Sequence, residues 1–211
     1  MLKQLIAITA TASVLAACTS EPTIQTGENA EVIGDNLHRV DNSRANAAWV
    51  DPNADFSRYT RVLVRPLGVD NIEIIEPRAS ASSRMRNWEL TDSDKQMLQD
   101  MFKKAMEQRL EERGSFPLAQ EPGDDVLEIG AMLTTLAPSA PRDDTGARAT
   151  GRSTVYTEGA GSIAVAVAFG DSQTGEVLAL IKDSRSSTSH WGVNNSVTNR
   201  ADVQRMFNSW A

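Results

Sequence analysis

The sequence predicts an α+β fold, a mixed or antiparallel sheet of about four to five strands with two helices packed on it. Three patterns carry this. From Thr91 to about Arg113, residues Met97, Leu98, Met101, Phe102, Ala105, Met106 and Leu110 recur at three- and four-residue spacing, the stripe of an amphipathic helix. Residues 162–169 alternate large and small side chains. Asp171-Ser172-Gln173-Thr174-Gly175 joins them to the apolar run 176–181, so the two segments read as a β-hairpin with a glycine-bearing turn. Val203, Met206, Phe207 and Trp210 fall at i, i+3, i+4 and i+7 and predict a second helix, capped by Asn199 with Asp202.

Composition bounds what such a fold can do. The chain has 211 residues, 40% hydrophobic and 23% charged, which excludes collagen-like, coiled-coil and wholly disordered chains and fits one domain or at most two small ones. Its single cysteine excludes an intramolecular disulfide, a zinc knuckle and a CxxC redox pair. Twenty-one Lys and Arg against 28 Asp and Glu give a net charge of −7. Nucleic acid would have to bind a local basic patch against that field, and with no basic run present no nucleic-acid partner is expected.

Residues 1–17 read as a lipoprotein signal peptide. Lys3 supplies the positive start, residues 5–15 the apolar stretch, and Leu15-Ala16-Ala17-Cys18 resembles the lipobox of bacterial lipoproteins. The apolar stretch is too short for a permanent span. A peptidase accepts only small side chains beside the scissile bond, and the Cys18 thiolate is the nucleophile that takes the lipid as a thioether. Several acyl chains on one residue make a durable anchor, where a single chain binds reversibly. Cys18 is therefore the expected lipidation site, and that covalent lipid is the only cofactor expected. In enteric-type lipoproteins an Asp after the Cys favours the inner membrane. Thr19 stands there, so the expected place is the outer membrane, lipid-anchored, with the domain facing the periplasm.

Residues 18–48 are rich in Glu, Asn, Thr, Gly and Ala, with apolar residues at no steady period, and read as the lipidated N-terminus and a flexible tether. Such a tether has an r.m.s. reach of about 30 Å. His38 reads as a solvated linker residue. Residues 49–211 form the expected single periplasmic domain. Asp51, Asn53 and Asp55 mimic the opening of a calcium loop, but Phe56 stands where that loop requires Gly and Val62 where it requires Glu, so the motif is rejected. Residues 60–67 read as a strand, apolar on both faces and hence central, with Pro66 near its end. Thr91 and Asp94 have capping-box spacing at the start of the first helix, and Gly114 is placed to close it. Residues 116–119 are a short apolar piece, and 125–136 a long strand stopped by Pro138 and Pro141. Residues 142–161 read as a glycine-rich mobile loop.

Several phrases in fixed order resemble a family of uncharacterised Gram-negative lipoproteins with a domain of unknown function. They are Trp49-Val50-Asp51-Pro52 leading to Phe56-Ser57-Arg58-Tyr59, then Leu136-Ala137-Pro138-Ser139-Ala140-Pro141, then residues 171–179, then Ser196-Val197-Thr198-Asn199-Arg200-Ala201-Asp202 and the closing Trp210-Ala211. The resemblance implies an envelope lipoprotein and carries over no activity and no catalytic residue. In the family the last helix runs on past the Trp-Ala pair, so in this chain its docking is expected to rest on Phe207 and Trp210.

Chemistry-bearing motifs are sparse. Gly159-Ala160-Gly161-Ser162 runs into a strand where a nucleophile elbow or a dinucleotide loop needs a helix. His38 and His190 have no ligand at metal-site spacing, so no metal is expected. Three functions remain. The first is a non-catalytic binding or adaptor module for an envelope protein or cell-wall partner, with Trp88, Trp191, His190 and the loop residues Arg142, Asp143, Asp144, Arg148 and Arg152 as candidate contacts; on this reading the protein is not an enzyme. The second is a carrier holding an apolar ligand between the Met-rich helix and the alanine-lined sheet face. The third is a cell-wall glycan or ester hydrolase using Asp143, Asp144, Glu158 or His190, although adjacent carboxylates seldom face a substrate from opposite sides.

Overall fold

The computed structural model describes residues 20–77, 89–113, 116–139, 156–187, 191–193 and 196–211. Along them run strands β1 (Thr23–Ile24), β2 (Val32–Ile33), β3 (Leu37–Asp41), β4 (Ala47–Val50), β5 (Arg61–Val64) and β6 (Glu73–Ile74), then helix α1 (Asp92–Arg113). Strands β7 (Val126–Pro138), β8 (Tyr156–Glu158), β9 (Gly161–Asp171), β10 (Val177–Ser186) and β11 (Trp191–Val193) follow, and helix α2 (Ser196–Trp210) closes the chain.

Long strands pair in the order β10-β9-β7, all antiparallel, and they form the centre of the sheet. β5 and β6 join β7 in parallel. Parallel neighbours need a crossover of a dozen or more residues, and α1 lies in the connection from β5 to β7. On the other side β4, β3 and β1 extend the order, with β2 also on β3. The α+β class thus holds, but the mixed sheet has nine strands among the described residues, where four to five were expected. β8 and β11 pair separately.

The extra strands correct the reading of residues 18–48. What looked like a flexible tether supplies, over its described part, β1, β2, β3 and the start of β4. These strands are two to five residues long and lie at the sheet margin, so they carry too few residues to show a period. His38 is likewise no solvated linker residue: it is half-buried in β3, with Nδ1 2.8 Å from the Gln25 carbonyl oxygen. The β3–β4 connection turns at Asn42, whose φ of +56° suits a side chain that tolerates the left-handed region.

β5 is apolar on both faces for a different reason than a central position. It ends the main strand order, and the 117–119 segment lies along its outer edge, with Val62 N–H donating to the Pro117 carbonyl and Ala119 N–H to that of Val62. Leu63 is buried on that side with Ala119 and Val126.

One face of the sheet carries both helices. Val62, Ile129, Ala131, Leu133, Ile163 and Val165 meet Leu98, Phe102, Ala105 and Met106 of α1 and Met206 and Phe207 of α2 in one cluster. Thr91 and Asp94 form the expected capping box: the Asp94 amide donates to Thr91 Oγ1 at 3.2 Å, and the Thr91 amide to Asp94 Oδ2 at 2.9 Å. Gly114 lies outside the described residues. α2 starts at Ser196, so Asn199 and Asp202 lie inside it and not at its cap, and Asp202 is turned inward to accept from the Ala160 amide at 3.0 Å.

Candidate functional site

Of the residues singled out in the sequence, Cys18, Trp88, Arg142, Asp143, Asp144, Arg148, Arg152 and His190 lie outside the described residues. Trp191 opens β11 and pairs with Glu158 of β8, so the fold brings these two positions side by side on one short ladder.

Three carboxylates are buried, at Asp171, Asp183 and Asp202. Asp171 closes the β9–β10 turn. Its Oδ1 accepts from the Gln173 and Thr174 amides at 2.9 and 2.8 Å, and its Oδ2 from Tyr59 Oη at 2.9 Å and Arg58 at 3.1 Å. The Thr174 amide first, with help from the Tyr59 hydroxyl and the Gln173 amide, holds this carboxyl at about 2 against the cost of burial. Burial, then the bond to Asp171, raises the Tyr59 phenol.

Asp183 ties three elements together. It accepts from the Asn46 amide at 3.1 Å and from Trp210 Nε1 at 2.9 Å, and it pairs with Arg185 at 2.9 Å. Asp202 holds the Ala160 amide and pairs with Arg205. A general acid or base must exchange a proton with a substrate, whereas these three carboxylates are engaged by the protein's own donors. Among the described residues no group of three or more His, Cys, Asp and Glu is placed to hold a metal ion. The residues of the rejected calcium motif have local work instead: Asp51 accepts from Asn36 Nδ2 at 2.7 Å and the Asn53 amide at 2.8 Å, and Asp55 caps the short 3-10 helix Phe56–Arg58 through Ser57.

Two clefts flank α1. One, of about 520 Å³, lies against the end of β5 and is lined by Arg65, Gln96, Gln99, Asp100, Lys103 and Glu107. Gln99 donates across it to the Leu67 carbonyl at 2.9 Å. The other, of about 610 Å³, is an open groove lined by Met97, Met101, Lys104, Arg200 and Gln204. Both mix polar and apolar side chains, the first also touching Leu63, Val64 and Leu118, and neither is an enclosed chamber. The helix–sheet interface, where an apolar ligand would have to sit, is filled by the core side chains themselves.

The opposite face of the sheet has a cluster that sequence reasoning missed. β4 puts Trp49 between Arg39 of β3 and Leu180 of β10, with Lys182 beside Ala47. The Arg39 guanidinium lies 4.7 Å and the Lys182 ammonium 5.6 Å from the Trp49 ring centroid. At the other end of the same sheet, along β5 and β7, Arg65 pairs with Glu128 at 2.7 Å and Arg61 with Asp125. The Arg61 guanidinium, followed by the Thr60 hydroxyl, holds the Asp125 carboxyl well below the usual carboxylate range. The only advance signal was Trp49 beside a short apolar run; the partners come from strands 10 residues upstream and 133 downstream, which only the register joins.

These observations define the class as a helix-backed mixed-sheet α+β domain, without a catalytic or metal constellation among the described residues. The chain belongs to the family described as Protein of unknown function (DUF3313), whose model matches residues 31–211. No curated protein matches it. Solved structures similar to it include a DUF330 protein from Xanthomonas campestris, at 11% identity and a TM-score of 0.41 over 72% of this chain and 79% of that one. Another is the PelC dodecamer from Paraburkholderia phytofirmans, at 9% identity and 0.33 over 72% and 84%. A third is a homolog of the neuraminyllactose-binding hemagglutinin from Helicobacter pylori, at 13% identity and 0.34 over 72% and 79%.

Proposed function

We propose that the chain is a bacterial envelope lipoprotein, anchored in the outer membrane through lipid on Cys18, whose domain faces the periplasm and serves as a non-catalytic binding or adaptor module for an envelope protein or cell-wall partner. The observation that carries the anchor is the string Leu15-Ala16-Ala17-Cys18 after Lys3 and an apolar run, with the chain's one cysteine at the position the lipobox requires. The adaptor reading is supported by the filled core, which leaves an apolar carrier no chamber, and by the internal engagement of Asp171, Asp183 and Asp202.

The sheet changes the expected geometry of the anchor. β1 begins at Thr23, so Cys18 is joined to the sheet by chain that spans at most roughly 17 Å when extended. The domain would therefore stay closer to the membrane than a flexible tether of about 30 Å would hold it.

Expression in a Gram-negative host followed by mass spectrometry of the N-terminal peptide tests the anchor. The expected product begins at Cys18 and carries a diacylglyceryl thioether, and Cys18→Ser yields unlipidated protein absent from the outer-membrane fraction. A wild-type product that keeps its leader, or is cut elsewhere without lipid, overturns it. Crosslinking in intact cells tests the adaptor role, for which a reproducible protein or cell-wall adduct is expected.

A further inference from the structure

The sheet face opposite the helices contains a buried donor without an acceptor. Trp49 is 6% exposed, and its Nε1 is out of solvent with no hydrogen-bond partner. The two groups over its ring, Arg39 and Lys182, are cations without a carboxylate partner among the described residues. Arg39 makes one long bond, 3.4 Å to the Asn46 carbonyl. The carboxylates of Asp125 and Glu128 lie three or more strands from Trp49, at the β7–β5 end of the sheet, and pair there with Arg61 and Arg65. In a chain of net charge −7, two uncompensated positive charges over one indole are a local exception.

Guanidinium, ammonium and indole N–H donate hydrogen bonds and cannot accept them. Three such side chains brought together by the β3–β4–β10 register call for a group that only accepts and that carries negative charge. We propose that Arg39, Lys182 and Trp49 form a binding site for a phosphoryl group. The Arg39 fork can bind two of its oxygens at once, Lys182 adds a point charge, and a third oxygen takes the indole hydrogen. A carboxylate offers two oxygens in one plane, whereas a phosphoryl group offers three spread tetrahedrally, one for each kind of donor, and carries the greater charge. Arg39 and Lys182 are long side chains at the sheet surface, so they can swing from the ring onto the anion and open the path to Nε1.

Position suggests where such a group is met. The Gln25 amide bonds the Arg39 carbonyl at 2.8 Å, which places Arg39 within roughly 24 Å of extended chain from Cys18. Membrane headgroup phosphates then lie in reach, a step that rests on the proposed anchor; a soluble phosphate is the other source.

The test uses the full mature chain in neutral detergent micelles, with its tryptophans labelled so that each indole N–H gives one NMR resonance, that of Trp49 identified by its loss in W49F. Inorganic phosphate is one probe and phosphatidylglycerol doped into the micelles is the other. The Trp49 resonance is expected to move and saturate with phosphate, with phosphatidylglycerol or with both, each case supporting the site and assigning the source. R39Q and K182Q are each expected to weaken the response at least tenfold. The Trp210 resonance, held by Asp183, should stay in place and report that the variants are folded. K182Q alone, at an exposed position, keeps the test valid if R39Q disturbs packing on the ring. No movement with either probe, or an unchanged response in K182Q, overturns the proposal. The phosphate arm does not involve the lipid, so failure of the anchor and failure of the site are distinguishable.

Discussion

At Asp171 a charge is kept out of water by giving it four donors, two from the turn it closes and two from the Arg58-Tyr59 pair that precedes β5. Its carboxyl lies at about 2 in the folded chain against an ordinary value of 3.8. A depressed carboxyl stabilises the fold above the unfolded value and loses that contribution as pH falls toward the folded one. Asp171→Asn is therefore expected to cost about 2 kcal/mol at pH 7, where the wild-type carboxylate is charged. The difference should shrink between about pH 4 and pH 2, as the wild type is itself protonated. Urea unfolding of both proteins at pH 7 and pH 3 measures it, and equal midpoints at pH 7 would refute the role assigned to this residue. None of this was visible in the sequence beyond a turn, because the partners Arg58 and Tyr59 lie more than a hundred residues away.

α1 and α2 meet through aromatic side chains as well as through the sheet. Phe207 is fully buried, with its ring centroid 5.8 Å from that of Phe102 in an edge-on contact and 6.1 Å from that of Trp210. Phe207→Ala would leave a cavity where both helices and the sheet converge, an expected loss of about 3–5 kcal/mol in chemical denaturation. A loss below about 1 kcal/mol would mean that α2 is only loosely docked. Elements of this kind were legible. The stripe of α1, its Thr91–Asp94 cap, the large–small alternation of β9 and the i, i+3, i+4, i+7 set of α2 each repeat often enough to reveal a period. The alternation did not give the orientation of the faces: the alanine-lined face, expected against the Met-rich helix, lies on the other side of the sheet, and Ile163 and Val165 point to the helices. The margins were illegible, since β1, β2 and β6 contain two residues each, too few for any period to emerge. The Arg39-Trp49-Lys182 cluster was hidden for a related reason: register across three strands creates it, and register is a property of pairing that local sequence does not display.

At the scale of the whole molecule, the question is where the folded unit begins. Composition placed its start at Trp49, but β4 already begins at Ala47, and β3 covers the outer edge of β4 through Arg39 and His38. The upstream stretch also reaches the centre of the molecule. The Asn46 amide donates to buried Asp183, and Asn46 Oδ1 accepts from the Ser184 amide at 2.7 Å, so residue 46 helps hold β10 in register. Leu37 is buried, and Asn36 donates to Asp51. A mature chain shortened to start at Trp49 would lose β1, β2 and β3, open an edge on β4, uncover the Trp49 ring and take one donor from Asp183, which also anchors Trp210 of α2. The expected cost is at least about 3 kcal/mol, since a buried apolar side chain, a strand ladder and a bond to a buried charge go together. The exposed edge should also promote self-association. Urea midpoints and size-exclusion profiles, compared with a chain starting at residue 20, measure both effects. Equal midpoints and a monomeric profile for the shortened chain would show that residues 20–48 are an appendage after all; the predicted loss would make them part of the domain and set the anchor directly against it.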